Sequence, residues 1–184
     1  RGLGDVYKRQ VVDSKVSFYA LCALMFSVGL SVGNDPQTLK NFRSLNPRLI
    51  FLPIMTILGT LAGSAAVSLI LTHRSLTDCL AVGSGFGYYS LSSIFITEYK
   101  GAELGTIALL ANISREILTL LAAPLLVRWF GNLAPISAGG ATTMDTTLPI
   151  ITRTAGQQFV VVSIFHGFVV DFSVPFLVTL FCSI

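Results

Sequence analysis

The sequence predicts an all-α integral membrane protein of about six membrane segments, two of them glycine-rich and either interrupted or re-entrant. Three observations carry that prediction. Hydrophobic residues make up 53% of the 184 and charged residues 11%, more apolar surface than a soluble domain of this size hides in one core. The apolar residues gather in runs approaching or exceeding the roughly 20 residues a helix needs to cross a bilayer. Two segments, residues 79–97 and 134–152, set glycine, serine, threonine and proline inside otherwise apolar stretches. Lipid gives freed backbone groups no hydrogen bonds, so such breaks must be covered by protein or line a wet cavity.

Residues 1–10 (RGLGDVYKRQ) match no signal-peptide pattern and are expected to be a non-native leader outside the fold. Within them Gly2-Leu3-Gly4-Asp5 has the GxGD spacing of intramembrane aspartyl proteases but lacks the apolar helix that signature needs. The first apolar run is 16–32. The loop after it carries Lys40, Arg43 and Arg48 and is assigned to the cytoplasm by the positive-inside rule. Residues 49–72 form the second run, with Gly59, Ala62, Gly63, Ala65 and Ala66 at the spacings that let membrane helices approach closely.

In the third segment Gly85, Gly87, Ser90 and Ser92 interrupt the apolar pattern. No soluble strand precedes it and no amphipathic helix follows, so it is not a phosphate-cradling loop. The fourth, 103–130, places Asn112, Arg115 and Glu116 in mid-helix. A central charge costs at least about 2.5–3.5 kcal/mol in lipid, so it faces protein or water. Helical periodicity aligns Asn112, Glu116 and Thr119 and turns Arg115 about 100° away. The fifth holds Gly139, Gly140, Thr142, Thr143, Asp145, Thr146 and Pro149, one carboxylate among helix breakers. The sixth, 158–181, contains His166 and Asp171 on different faces, each a candidate to line a pathway or to bond a neighbouring helix.

Cys22, Cys79 and Cys182 are widely spaced and lie in or beside apolar runs, as buried small hydrophobes do. No cofactor and no metal site is indicated. The net charge of +3 resides in short loops, which informs orientation and excludes a nucleic-acid patch. An internal echo aligns Gly85 with Gly140, Ile96-Thr97 with Ile151-Thr152, Gly101 with Gly156 and Glu116 with Asp171, the pattern of repeats with matching interrupted segments. Both glycine-rich segments either cross the membrane, with Lys100 inside and Arg128 outside, or are re-entrant, with the reverse. The end of the chain lies outside in both cases.

Ser84-Gly85-Phe86-Gly87-Tyr88-Tyr89-Ser90-Leu91-Ser92, Asn112 with Arg115-Glu116, Gly140-Ala141-Thr142-Thr143-Met144-Asp145 with Thr147-Leu148-Pro149, Arg153-Thr154 and His166-Gly167-Phe168 together resemble the bacterial lysine exporter family LysO. The likeness runs from about Ser17 to Ile184. Residues 11–184 are then expected to be a partial transporter domain, the C-terminal part of a longer membrane protein. The resemblance implies export of L-lysine and lysine analogues across the bacterial inner membrane by a multi-pass protein, in exchange for protons. Its partners would be lysine or another basic small molecule, protons and membrane lipid, with no nucleic acid; a homo-oligomer is compatible. Glu116 and Asp145 fall on the family's acidic positions. Tyr88 stands where a tryptophan can occur, and Asp171 matches no motif of the family.

Lysine carries two ammonium groups and one carboxylate. Asp145 and Glu116 can meet the first, and half-helix N-termini with unpaired N–H groups can meet the second. Asn112, Arg115, Ser90, Ser92, Thr142, Thr143 and Thr146 are further candidate ligands. Gly85, Gly87, Gly139, Gly140 and Pro149 would shape the broken backbone, and His166 and Asp171 are candidates along the pathway. Other readings stay open: a proton-coupled cation antiporter, an exporter of another small solute, a structural or assembly fragment, or a membrane-embedded hydrolase, for which no catalytic spacing joins the acids, His166 and the serines.

Overall fold

The structure, a computed structural model, describes residues 47–71 and 73–184, with isolated positions 16, 19, 23, 26, 27, 30, 34 and 40. Contacts divide the chain into residues 1–39 and 40–184, and the fold below is that of the second unit. The leader and most of the first apolar run lie outside the described residues.

Helix α1 is Pro47–Ile70. Helix α2, Leu76–Gly83, starts where the Ser75 hydroxyl accepts the Asp78 N–H at 3.1 Å, an N-cap that satisfies one of the orphan donors of a first turn. Helix α3 is Tyr89–Lys100 and helix α4 is Ala102–Phe130. Helix α5, Ala134–Gly139, runs into a 3-10 turn at Gly140–Met144. Helix α6 is Leu148–Ala155 and helix α7 is Val160–Ser183. Prolines 135 and 149 sit in the first turns of α5 and α6, where a missing N–H removes no helical bond.

All these elements are helical, and α1, α4 and Gln157–Ser183 are long and apolar enough to cross a membrane. The expected third and fifth segments, read as interrupted or re-entrant, are each a pair of short helices. At 1.5 Å per residue, α2 and α3 are about 12 and 18 Å long, too short for either to cross a hydrocarbon layer of about 30 Å. Among the described residues these make three long helices and two broken pairs, and the first of the six expected segments falls outside them. Apolar side chains point outward along the long helices, including Phe51, Met55 and Leu58 on α1 and Leu118, Leu121 and Leu125 on α4.

Each broken pair starts and ends at one end of the bundle. Lys100 Nζ at the end of α3 lies 3.8 Å from Asp78 Oδ1 at the start of α2, and Arg74 pairs with Glu103 beside them. At the other end Ile136 of α5 packs with Ile151 and Ala155 of α6 and Val162 of α7, covered by Leu49, Leu52, Val127 and Phe159. The two pairs therefore enter from opposite ends, and their breaks meet in the middle.

The sequence echo has a counterpart in the backbone. Gly101 (φ 93°, ψ 169°) ends α3 and Gly156 (φ 116°, ψ 156°) ends α6, in a conformation open to glycine and disfavoured for other residues. Their N–H groups donate to Thr97 and Thr152 carbonyls at 3.0 and 3.2 Å. The close-packing role expected of Gly59 and Gly63 is not met among the described residues, since a Cβ at either would find nothing within 4 Å. Gly63 instead looks into a cavity. The tight glycines are Gly83, Gly85, Gly105, Gly139, Gly140 and Gly167.

Candidate functional site

Helix α4 holds both breaks through two side chains one turn apart. Asn112, 3% exposed, accepts the Gly87 N–H at 2.8 Å through Oδ1 and donates from Nδ2 to the Val82 carbonyl at 3.1 Å. It thus satisfies the Gly87 donor after the first break and adds a second bond to the Val82 carbonyl before it, which also accepts the Gly85 N–H at 3.3 Å. Arg115 donates from Nε to the Ala138 carbonyl at 2.8 Å and from a terminal nitrogen to the Ser137 carbonyl at 3.1 Å, with the Thr60 hydroxyl 3.3 Å from the other terminal nitrogen. Those carbonyls belong to the last turn of α5. A cation there meets the negative end of the helix dipole through charge-assisted bonds.

Asn112 and Thr119 are the buried polar residues of α4, Arg115 and Glu116 are both half-buried between them, and it is Arg115 whose side chain bonds across to the second break. The expectation that Arg115 turns away fails because residues three apart are neighbours as close as those four apart, and the long guanidinium stem covers the remaining angle. Glu116 has no hydrogen bond to the described residues.

The two breaks touch. The Phe86 carbonyl accepts the Ala141 N–H at 2.9 Å, joining the chain across the centre of the bundle. Phe86 is fully buried and has φ 46°, a left-handed conformation rare for a bulky residue. Strain of this kind costs on the order of 1–3 kcal/mol and persists only where surrounding contacts impose it. Gly140 has φ 64°, and a Cβ on it would lie 2.2 Å from the Phe86 carbonyl oxygen; a Cβ on Gly85 would strike the Asn112 amide at 2.4 Å. Glycine at these positions is what allows the contact. The Arg115 guanidinium carbon also sits 5.9 Å from the centre of the Phe86 ring, within cation–π range.

Hydroxyl groups finish the second break. Thr142 donates to the Gly139 carbonyl at 3.0 Å and lies 3.2 Å from the Thr147 hydroxyl. Thr143 is within 2.9 Å of the Gly140 and Ser163 carbonyls. His166, fully buried, has Nδ1 3.2 Å from the Thr143 hydroxyl and Nε2 2.9 Å from the Thr56 hydroxyl of α1. Both ring nitrogens are thus occupied by protein. Gly167 lets the 3-10 turn lie against α7, since a Cβ there would fall 2.7 Å from the Met144 nitrogen.

The carboxylates differ in setting. Asp145 closes the 3-10 turn on an exposed surface, its Oδ1 accepting the Thr146 N–H at 2.6 Å. Asp171, in the middle of α7, is 4% exposed and its Oδ1 has no hydrogen-bond partner among the described residues. Met144, which precedes Asp145, lies against Gly167, one turn before Asp171 on α7. Ser92 is buried, donates to the Tyr88 carbonyl at 2.8 Å and receives a long bond from Asn112 at 3.4 Å. Ser90 is half-buried, and Thr146 and Pro149 are exposed.

Of the residues predicted from sequence, Asn112, Arg115, Ser92, Gly85, Gly87, Gly139, Gly140, Thr142, Thr143 and His166 converge at the crossing. Asp145 and Asp171 lie on the two elements that meet at Met144 and Gly167. Thr56, Thr60, Ser137 and Thr147 were not anticipated. Thr56 and Thr60, two hydroxyls four apart in an apolar helix, were the available signal. A cavity of about 540 Å³ opens between α1, α2 and α4, with Arg74 and Asp78 among its lining and Asn112 and Arg115 reaching it from the crossing.

The Lysine exporter LysO family model matches residues 2–182. Over 170 residues the chain is 36% identical to the Lysine exporter LysO of Escherichia coli strain K12, covering 92% of this chain and 56% of that protein. Over 167 residues it is 35% identical to a Putative lysine exporter of Haemophilus influenzae Rd, covering 91% and 84%. The chain thus spans little more than half the length of the Escherichia coli relative. No solved structure matches. A family match running almost from end to end, over the residues that build the crossing, makes the chain a member of the LysO lysine exporter family.

Proposed function

We propose that this chain forms the crossing core of a secondary transporter that exports L-lysine and its analogues from the bacterial cytoplasm across the inner membrane by proton antiport. The observation that carries the reading is the meeting of two broken helical pairs at the bond between Phe86 and Ala141, with buried polar groups around it. Transporters use such breaks to present helix ends and free backbone groups to a solute at mid-membrane. The names of the relatives supply the solute. Asp145 and Glu116 are the acids that exchange a proton for an ammonium group, and Asn112 and Arg115 hold the backbone that surrounds them.

Both glycine-rich segments are re-entrant in this reading. The proximity of Lys100 to Asp78 and of Ile136 to Ala155 supports it, because a crossing pair would hold its ends a membrane thickness apart. With Arg48 inside, Arg128 and Arg153 also fall inside in this reading and Arg74 and Lys100 fall outside; two crossing segments would exchange Lys100 and Arg128 and leave the count of basic residues on each side the same.

The test is efflux of labelled lysine from cells lacking their own exporter and carrying the complete family protein with this segment. Wild type is expected to export lysine, and Asp145→Asn and Glu116→Gln at matched membrane abundance are expected to lose most of it. A wild type that exports none contradicts the assignment.

A further inference from the structure

Asp171 is the one buried side-chain oxygen or nitrogen without a hydrogen-bond partner among the described residues. An ionised carboxylate in that setting costs several kcal/mol unless a proton or a cation compensates it. The group lies in mid-helix, where an ionisable residue in a membrane segment marks a pathway by default. The internal repeat gives a second and independent indication. The alignment that equates Gly101 with Gly156, which share one backbone conformation, equates Glu116 with Asp171. Each broken pair is thus followed by a long helix bearing an acid at the same place.

The charged and titratable groups around α7 are few. Asp78 of α2 and Lys100 of α3 lie 3.8 Å from each other at one end of the bundle, and Arg115 of α4 is held on the Ala138 and Ser137 carbonyls. Helix α1 contributes the Thr56 hydroxyl to His166, and Arg153 on α6 is exposed. Asp145 is brought toward Asp171 by the 3-10 turn, whose Met144 lies against Gly167 one turn before Asp171. Two carboxylates in mutual reach repel when both are ionised, and a cation or proton between them removes the repulsion. Asp145 is exposed, which gives a solute access to the pair.

We propose that Asp171 and Asp145 form a two-carboxylate site for one primary ammonium group of the exported substrate, and that the ammonium displaces a proton held at Asp171. This rests on the lysine-export reading and adds to Asp145 and Glu116 a third acid that the family's motifs do not mark. The proton leaves to solvent when the ammonium arrives and returns when it departs, so charge balances at the site.

The experiment uses the complete family protein, purified in detergent in weak buffer with a pH-sensitive dye, to which L-lysine, norleucine or sodium chloride is added. Wild type is expected to release protons on adding lysine. Asp171→Asn is expected to release about one fewer proton per site and to bind lysine about tenfold or more weakly, while Asp171→Glu keeps both properties. Unchanged proton release and affinity in Asp171→Asn overturn the proposal, as does release triggered by sodium chloride and not by lysine. If norleucine releases the proton as well as lysine does, the α-ammonium occupies the site; if it does not, the side-chain ammonium does, and either supports the proposal. Should Asp171→Asn fail to fold, infrared difference spectra of wild type decide: lysine must remove a protonated-carboxyl band that is altered in Asp171→Glu, and a spectrum without that loss overturns the proposal. A wild type that neither exports nor binds lysine defeats the export reading itself; one that exports lysine while Asp171→Asn behaves as wild type defeats this proposal alone.

Discussion

The two breaks solve one backbone problem with different chemistry. The first, between Gly83 and Tyr89, is short and is held by the neutral amide of Asn112 and the Ser92 hydroxyl. The second, between Gly139 and Leu148, is longer. It is held by the Arg115 charge, a set of threonine hydroxyls and His166, and it ends on the Asp145 carboxylate. A neutral amide can donate and accept, which suits a tight turn where it takes the Gly87 N–H and gives to the Val82 carbonyl. A guanidinium only donates, which suits a helix end where two carbonyls face one way. The first break is thus held by neutral groups, and the second is held by a cation and ends at a carboxylate.

The comparison can be broken most completely at the contact itself. Gly140→Ala puts a methyl group 2.2 Å from the Phe86 carbonyl at a residue with φ 64°; the complete protein is expected to lose lysine efflux and to fall in membrane abundance. Next in size is the pair of α4 substitutions. Arg115→Ala leaves the Ser137 and Ala138 carbonyls without their charged donor and is expected to cost roughly 3 kcal/mol or more, whereas Asn112→Ala is expected to cost about 1–3 kcal/mol. Thermal unfolding of the purified protein should show a larger loss for Arg115→Ala, and equal losses would erase the distinction between the breaks. At the small end, Gly59→Ala meets nothing within 4 Å and lies inside a helix, so it is expected to leave efflux unchanged and to raise stability by up to about 1 kcal/mol.

Much of this arrangement was legible in the sequence because membrane burial makes polar residues conspicuous. Glycines 85, 87, 139 and 140 and the mid-helix Asn112 and Arg115 stood out as groups that lipid does not tolerate without partners. Which partner each one takes was not legible, since Arg115 reaches carbonyls more than 20 residues away in sequence and carbonyls carry no residue identity. Periodicity favoured Glu116 over Arg115 on the buried face because it counts angles and ignores side-chain length. The glycines of α1 read as packing contacts, but spacing alone does not say whether a small residue faces another helix or a cavity. The threonines of the second break were legible as polar groups, while the bond from His166 to Thr56 joins residues 110 apart and needed the fold.

The account stands most directly on the two broken pairs entering from opposite sides. In cells expressing the complete protein without reactive cysteines, Lys100→Cys and Arg128→Cys would be labelled with a membrane-impermeant thiol reagent before and after opening the inner membrane. The account predicts that position 100 reacts from outside and that position 128 reacts only once the cytoplasmic face is exposed. Labelling of position 128 from outside, with position 100 protected until the membrane is opened, would mean that both segments cross the membrane, and the crossing core described here would be wrong.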